Sequence, residues 1–194
     1  MKASATLTRS VVSTAAALVV LALPVFAQSA QPWSLQGSVL VDNQSINGKL
    51  ISGAGFEGML RYTPSVWSVG LGYQYSTHSS NGETLNLSGI FVEPRYALDI
   101  GSDRVAPYLA GRVGILKQSS TLRVAGDVSS NGTAFGGGAG FLIRASKTVN
   151  FDIGAAFVQQ SFGDAKGNGN TTVTFKSFTG YVAKGGISIG FGGK

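Results

Sequence analysis

Seven charged residues have the types and the spacing to form one cluster of acids and bases. The positions of Glu57 and Arg61 differ by four and those of Glu93 and Arg95 by two, and residues at even spacing lie on one face of a β-strand. Such a cluster could act as a gate, a proton relay or a network of salt bridges, and we favour the salt bridges because a buried charge without a partner costs several kcal/mol. The cluster comprises Glu57, Arg61, Glu93, Arg95, Arg112, Asp152 and Lys184.

The single histidine suggests a second kind of chemistry. His78 precedes Ser80 by two positions, and a histidine can activate a serine that lies within hydrogen-bond reach and beside an oxyanion donor. A structural interpretation competes with this one, because Asn81 and Gly82 in the same segment suit a tight hairpin turn. His78 and Ser80 are therefore catalytic candidates, and a hairpin is the interpretation that we favour.

A glycine-rich run from Gly136 to Gly140 resembles a phosphate-binding loop only superficially. It lacks the Lys-Ser/Thr pair of such loops, and no helix is predicted after it. We expect instead a strand of small residues that leaves room for the side chains of Tyr108 and Arg112.

The composition limits the class of protein. The chain has 194 residues, a formal net charge of +6, no cysteine and 28 glycines. Without cysteine, neither a disulfide framework nor a thiolate metal site can form. The hydrophobic fraction of 43% is too high for intrinsic disorder, and glycine at roughly twice its average usage disfavours an all-helical domain.

The first 27 residues have the layout of a secretory signal peptide. Lys2 and Arg9 precede an apolar run, and Val25-Phe26-Ala27 forms a plausible cleavage site before Gln28. An uncleaved anchor helix is the alternative, although Ser13 and Pro24 dilute the apolar run below the usual length of a spanning helix. We expect a signal peptide at residues 1–27 and one domain at residues 28–194.

Period-two alternation of apolar and polar residues dominates the rest of the chain and indicates β-strands. Eight strands are predicted, over residues 33–42, 56–62, 67–76, 84–98, 105–117, 133–144, 148–162 and 173–191. Three connections are short turns, at 63–66, 99–104 and 145–147. The other four are longer and polar, at 43–49, 78–83, 118–132 and 163–171. An even strand number with short turns at one end and long loops at the other is typical of a bacterial outer-membrane barrel.

The two faces of the predicted strands differ in charge. One face carries the seven clustered charges and predicts a polar interior, whereas the other carries no charge and predicts a lipid-facing surface. Leu85 and Leu87 share the face of Glu93, so the fourth strand either projects above the membrane or contains a bulge near Ser88. The predicted lipid-facing residues are Val69, Leu71, Tyr73, Ile90, Val92, Leu109, Val113, Ile115, Phe141, Ile143, Phe151, Ile153, Tyr181, Ile187, Ile189 and Phe191.

Aromatic and basic residues mark the expected membrane surfaces. Tyr75 is predicted at the loop-side rim, and four aromatic residues beside the short turns are predicted at the opposite rim. These four are Trp33, Tyr62, Trp67 and Phe191. Basic residues near the long loops could meet the phosphates of lipopolysaccharide, namely Lys49, Lys117, Arg123, Lys166 and Lys176. They form no dense basic stripe with interleaved aromatics, so nucleic acid is not an expected partner.

Two stretches resemble a known family. The Gly-Phe-Glu-Gly-Met-Leu-Arg-Tyr-Thr-Pro sequence at 55–64 and the Trp-Ser-Val-Gly-Leu-Gly-Tyr-Gln-Tyr-Ser sequence at 67–76 resemble the outer-membrane protein β-barrel domain of Gram-negative bacteria. That group includes proteins similar to outer-membrane proteins A and X and the opacity-type surface proteins. The resemblance implies an antiparallel up-and-down transmembrane β-barrel in the cell outer membrane. It also implies outer-membrane lipid, lipopolysaccharide and the outer-membrane insertion machinery as partners.

A second, shorter resemblance concerns the histidine. His78-Ser79-Ser80-Asn81 is similar to the His-x-Ser-Asn stretch of outer-membrane lipid A 3-O-deacylases, which implies a histidine that activates a serine against an acyl ester. The remainder of the deacylase pattern is absent from this sequence.

The expected function is a structural or surface-interaction role rather than catalysis, with no cofactor and no metal. In this hypothesis a salt-bridge cluster plugs the barrel and four loops face outside, where a surface ligand could bind. The alternatives are a lipid A-modifying hydrolase that uses His78 and Ser80, and a narrow pore or small-ligand-binding barrel.

Overall fold

Eight long antiparallel strands close into one barrel in the computed structural model of the chain. The structure describes residues 31–46, 49–80, 83–122, 126–166, 172–174 and 177–193, so the expected signal peptide lies outside the described residues. The barrel strands are β1 (Trp33–Ile46), β2 (Lys49–Tyr62), β3 (Trp67–Ser80), β4 (Glu83–Ala97), β5 (Val105–Leu122), β6 (Gly126–Arg144), β7 (Val149–Phe162) and β10 (Phe178–Phe191). The two short strands β8 (Asp164–Lys166) and β9 (Thr172–Thr174) form a separate small sheet. The predicted all-β, eight-stranded barrel is confirmed.

Each barrel strand pairs with its neighbours in sequence, and β1 closes the barrel against β10. Partners followed around the ring from Leu35 pass through Leu71 and Val113 and return to β1 at Ser45, ten residues further on. This stagger requires strands tilted by roughly 35–45°. No helix among the described residues is long and apolar enough to cross a membrane.

Short turns join the strands at one end of the barrel. In the turn after β4, Gly101 has a φ of 70°, a left-handed conformation that glycine adopts without steric cost. Its N–H donates to Oδ1 of Asp99 at 2.9 Å. The predicted connections at 99–104 and 145–147 agree closely with the gaps between β4 and β5 and between β6 and β7.

The four long loops were predicted too long. Strands continue through most of residues 43–49, 78–83 and 118–132, and β8 and β9 occupy part of the fourth connection. The predicted eighth strand at 173–191 begins only at Phe178, because Thr172–Thr174 belongs to the small sheet. The error has a physical cause: above the membrane the outward face of each strand becomes polar, so the apolar alternation ends although the strand pairing continues.

The outward face carries a band of apolar side chains. Val39 is 70% exposed and Val113 is 63% exposed, which is expected only where lipid replaces water. On β5 the band extends from Val105 to Ile115 and ends at Lys117. Ten residue steps in a tilted strand span about 25 Å, which matches the apolar band of outer-membrane barrels.

The interior is less polar than predicted. Leu87 is completely buried inside the barrel, and the register of β4 with β5 is continuous from Leu85 to Val92. The proposed bulge near Ser88 is therefore absent, and β4 projects above the apolar band. Buried apolar side chains form a layer inside the barrel, which we call the apolar layer: Leu40, Leu87, Leu116, Ala134, Val158, Phe162, Phe178 and Val182.

Candidate functional site: the barrel interior and its outer rim

The seven predicted charges meet inside the barrel and form what we call the charge cluster. Five strands contribute: β2 supplies Glu57 and Arg61, β4 supplies Glu93 and Arg95, and the other three residues come from β5, β7 and β10. In every ion pair of the cluster each side chain is at most 8% exposed. Each of these charges occupies an inward position of its strand.

Glu93 is the hub of the charge cluster. Its Oε1 atom accepts hydrogen bonds from Arg61 Nη2 and Arg95 Nε, both at 2.8 Å. Its Oε2 atom accepts from both Nε and Nη2 of Arg112, and Lys184 Nζ lies 3.2 Å from Oε2. One carboxylate therefore contacts all four cations of the cluster.

The other two acids extend the network to both sides. Glu57 accepts from Arg112 Nη2 at 2.8 Å and from Lys184 Nζ at 2.9 Å. Asp152 accepts from Arg95 Nη2 and from the hydroxyl of Tyr108, both at 2.7 Å. The cluster contains three acids and four bases, so its formal net charge is +1.

Small residues in the barrel wall make room for the large interior groups. A Cβ atom added at Gly140 or Gly154 would collide with the Tyr108 hydroxyl. The expectation that glycines of the sixth strand accommodate Tyr108 is therefore correct at Gly140. A cavity of about 20 Å³ lies beside Tyr108, Arg112 and Lys184, which is enough for roughly one water molecule.

The apolar layer lies next to the charge cluster, on the side away from the short turns. Val182 is two residues beyond Lys184 on β10, and Leu116 is four residues beyond Arg112 on β5. The rings of Phe162 and Phe178 stack at 5.5 Å. The sequence analysis did not predict this layer. Leu40 lies between the inward-facing Ser38 and Asp42, so it is an apolar residue at an inward position, as Leu87 is.

His78 also lies inside the barrel, above the charge cluster. Its Nε2 atom is 3.3 Å from Oδ2 of Asp42, and each of the two residues is only 1% exposed. The hydroxyl of Ser76 donates to the same oxygen at 3.2 Å. Ser80 is the last residue of β3. The pair with Asp42 was not predicted, and the imidazole is enclosed within the barrel.

Aromatic residues lie at both rims of the apolar band. At the short-turn rim, the ring of Trp33 is 4.7 Å from that of Tyr62, and Trp67 is at the same distance from Tyr96. Phe191 is exposed at this rim and pairs with Trp33 in register.

At the opposite rim, Tyr75 packs at 5.7 Å from Phe56 and donates its hydroxyl hydrogen to Asn86 Oδ1 at 3.2 Å. Phe157 and Tyr181 form a further ring pair 5.3 Å apart, which the sequence-based set did not include.

The basic residues of the predicted loops are only partly described. Lys117 faces outward on β5, two residues after Ile115. Lys49 and Lys166 lie at strand ends, and Arg123 and Lys176 lie outside the described residues. Within the described part of the chain, no three His, Asp or Glu side chains gather into a group that could hold a metal ion.

Comparison with known proteins agrees with this architecture. The solved structure of Neisserial surface protein A is 19% identical, covers 84% of this chain and 100% of its own, and has a TM-score of 0.68. Ail of Yersinia pestis, solved with the heparin analogue sucrose octasulfate, is 14% identical, covers 81% of this chain and 97% of its own, and has a TM-score of 0.51. At these identities the structures establish the shared fold alone.

The translocator domain of the autotransporter NalP from Neisseria meningitidis is also similar. It is 12% identical, covers 86% of this chain and 91% of its own, and has a TM-score of 0.50. No curated protein sequence matches the chain. A sequence model of the outer membrane protein beta-barrel domain matches residues 13–183. The chain therefore belongs to the outer membrane protein beta-barrel family, and it resides in the cell outer membrane.

Proposed function

We propose that the protein is a closed, non-enzymatic barrel that serves as a membrane scaffold and presents four hairpins at the cell surface. One observation carries this proposal: the charge cluster and the apolar layer lie in series along the barrel axis. The first places ion pairs across the lumen, and the second places close-packed hydrocarbon above them.

Opening the barrel would require large movements of its interior side chains. An eight-stranded barrel is only wide enough for its own side chains, so water can pass only if interior groups move. Removing the partner of a buried charge costs about 3–5 kcal/mol, and Glu93 alone holds four such partners. The apolar layer would also have to move aside, which makes a narrow pore the less favoured alternative.

Conductance across a planar bilayer tests the closed barrel. We expect no steady conductance from the wild-type protein or from the E93Q variant, since E93Q leaves the apolar layer intact. Stable channels from the wild-type protein would contradict the proposal. Channels from E93Q alone would show that the apolar layer is no barrier and that only the ion pairs close the lumen.

The orientation of the hairpins is tested separately. The chain has no cysteine, so a single cysteine introduced by A125C between β5 and β6, or by D103C in the turn before β5, is a unique label site. An impermeant maleimide is expected to label A125C on intact cells and D103C only after lysis. Labelling of D103C on intact cells would invert the proposed topology.

This proposal includes export and assembly. Residues 1–27 would be removed as a signal peptide, and residues 28–194 would be folded into the membrane by the outer-membrane insertion machinery. Mass spectrometry of the protein from outer membranes is expected to give an amino terminus at Gln28. An intact amino terminus would instead indicate an anchor.

A further inference from the structure

The outward face of β4, β5 and β6 changes from apolar to polar in successive rows. Ile90 pairs with Ile115, and in the next row Lys117 is flanked by Ser88 and Asn131. The row beyond it contains Asn86, Ser119 and Ser129. Two residue steps along a tilted strand amount to about 5 Å, so Lys117 lies just above the end of the lipid-facing band.

These polar rows line a concave site rather than a flat sheet. A pocket of about 390 Å³ is lined by residues of all three strands, and Lys117 is the only cation among these residues. The lining residues are Thr84, Asn86, Lys117, Ser119, Ser120, Asp127, Val128 and Ser129.

Lys117 and Asn86 are the groups of the pocket that can bind a ligand directly. Lys117 forms no salt bridge with any described residue. Asn86 receives the Tyr75 hydroxyl hydrogen on Oδ1, which orients its amide and leaves the NH₂ group as a donor. Asp127 also lines the pocket, four residues from Asn131 and about 13 Å away along β6, so a phosphate is expected at the Lys117 end of the pocket, away from this carboxylate.

Below the pocket, the same three strands provide a hydrocarbon surface. Val92, Val113 and Phe135 form one outward row, and Ile90 and Ile115 form part of the next. This face therefore has an apolar lower part, a single cation at the boundary and hydroxyl and amide groups above it. That order matches an amphiphile with acyl chains, a phosphate and a sugar head group.

We infer that this pocket binds the phosphorylated sugar head group of an outer-leaflet glycolipid. Lys117 pairs with the phosphate, Asn86, Ser119 and Ser129 hydrogen-bond the sugar, and the acyl chains lie along Ile90, Ile115 and Val113. A charge-assisted hydrogen bond to phosphate is among the strong polar contacts, whereas the uncharged groups provide selectivity for a sugar over a simple phospholipid. The inference rests on the proposed orientation, because only the outer leaflet carries this lipid.

Binding of purified bis-phosphorylated lipid A to the detergent-folded protein tests the site. K117Q is expected to raise the dissociation constant about tenfold. K147Q is the matched control, because it removes the same charge from the exposed turn at the opposite rim. Heat-modifiable migration in gels verifies that both variants fold. Wild-type affinity in K117Q, or an equal loss in K147Q, would overturn the assignment.

The choice of lipid separates the phosphate from the sugar. Dephosphorylated lipid A is expected to bind the wild-type protein and K117Q equally, since no phosphate remains for the ammonium group. Phosphatidylglycerol is expected to bind about tenfold more weakly than lipid A. Equal affinity for phosphatidylglycerol would mean that Lys117 binds any lipid phosphate without selectivity for a sugar. That result would contradict the assignment of a glycolipid. Binding in detergent does not depend on topology, so cysteine labelling can fail while this test succeeds.

Discussion

The guanidinium carbon of Arg112 lies 3.9 Å from the centre of the Phe91 ring, which places a cation–π contact where the charge cluster meets the apolar layer. Phe91 is only 2% exposed. The guanidinium group of Arg112 also donates hydrogen bonds to Glu57 and Glu93. The same group therefore contacts both the carboxylates of the charge cluster and an aromatic ring. Arg112 and Phe91 therefore join the charge cluster to the buried apolar side chains beside it.

Replacement of Glu93 by glutamine is predicted to cause a large loss of stability. E93Q leaves Arg61, Arg95, Arg112 and Lys184 without their shared carboxylate, and removal of one partner from a buried pair costs about 3–5 kcal/mol. Urea unfolding in lipid vesicles, followed by tryptophan fluorescence, measures the change. D103N is the control, because Asp103 is exposed and should change stability by under about 0.5 kcal/mol. An E93Q protein as stable as D103N would mean that the network contributes nothing.

A side chain added at Gly72 is predicted to overpack the interior. A Cβ at this position would collide with the Phe91 ring, whereas a Cβ at Gly58 meets nothing within 4 Å. G72V should therefore cost about 1–3 kcal/mol through forced repacking. G58V places the same side chain in a strand of the same barrel, but on the lipid-facing side. The two variants should differ in urea midpoint and in the folded fraction on gels; equal effects would contradict the tight contact with Phe91.

Substitution of the histidine tests the remaining enzymatic hypothesis. H78A and S80A are expected to leave the acylation of lipid A unchanged in mass spectra, because the imidazole is enclosed in the barrel beside Asp42. A stability effect of H78A with an unchanged lipid profile fits an interior structural pair. Loss of a lipid species in both variants would instead establish a His-Ser hydrolase.

The class of fold and the inward charges could be predicted because a strand exposes alternate residues to opposite surroundings. In the membrane those surroundings are lipid and lumen, so Glu57 and Arg61 on one side and Leu60 on the other differ sharply in polarity. The inward position of Glu93 does not specify which cations of other strands it contacts.

Two features could not be predicted for physical reasons. Above the membrane the outward face of β3 meets water instead of lipid, so the polar Thr77 and Ser79 do not reveal that β3 continues to Ser80. Inside the barrel, Asp42 of β1 and His78 of β3 both pair with Gly53 of β2, and the missing side chain of Gly53 leaves room for the two to meet across that strand. Alternation within one strand carries no information about these registers.

The boundary of the lipid-facing band predicts how the cost of a charge changes with height. Leu71 lies in the middle of the apolar outward positions of β3, which extend from Trp67 to Tyr75, and Ser79 lies eight residues further on the same face. L71K is expected to cost about 2–4 kcal/mol in lipid vesicles, and S79K about 0–1 kcal/mol. The same host strand and the same introduced residue isolate membrane depth as the variable. Equal unfolding free energies in vesicles would place both positions in one environment and contradict a membrane surface between them. In a detergent without a defined thickness the difference should shrink, because the micelle can adapt its apolar height to the lysine.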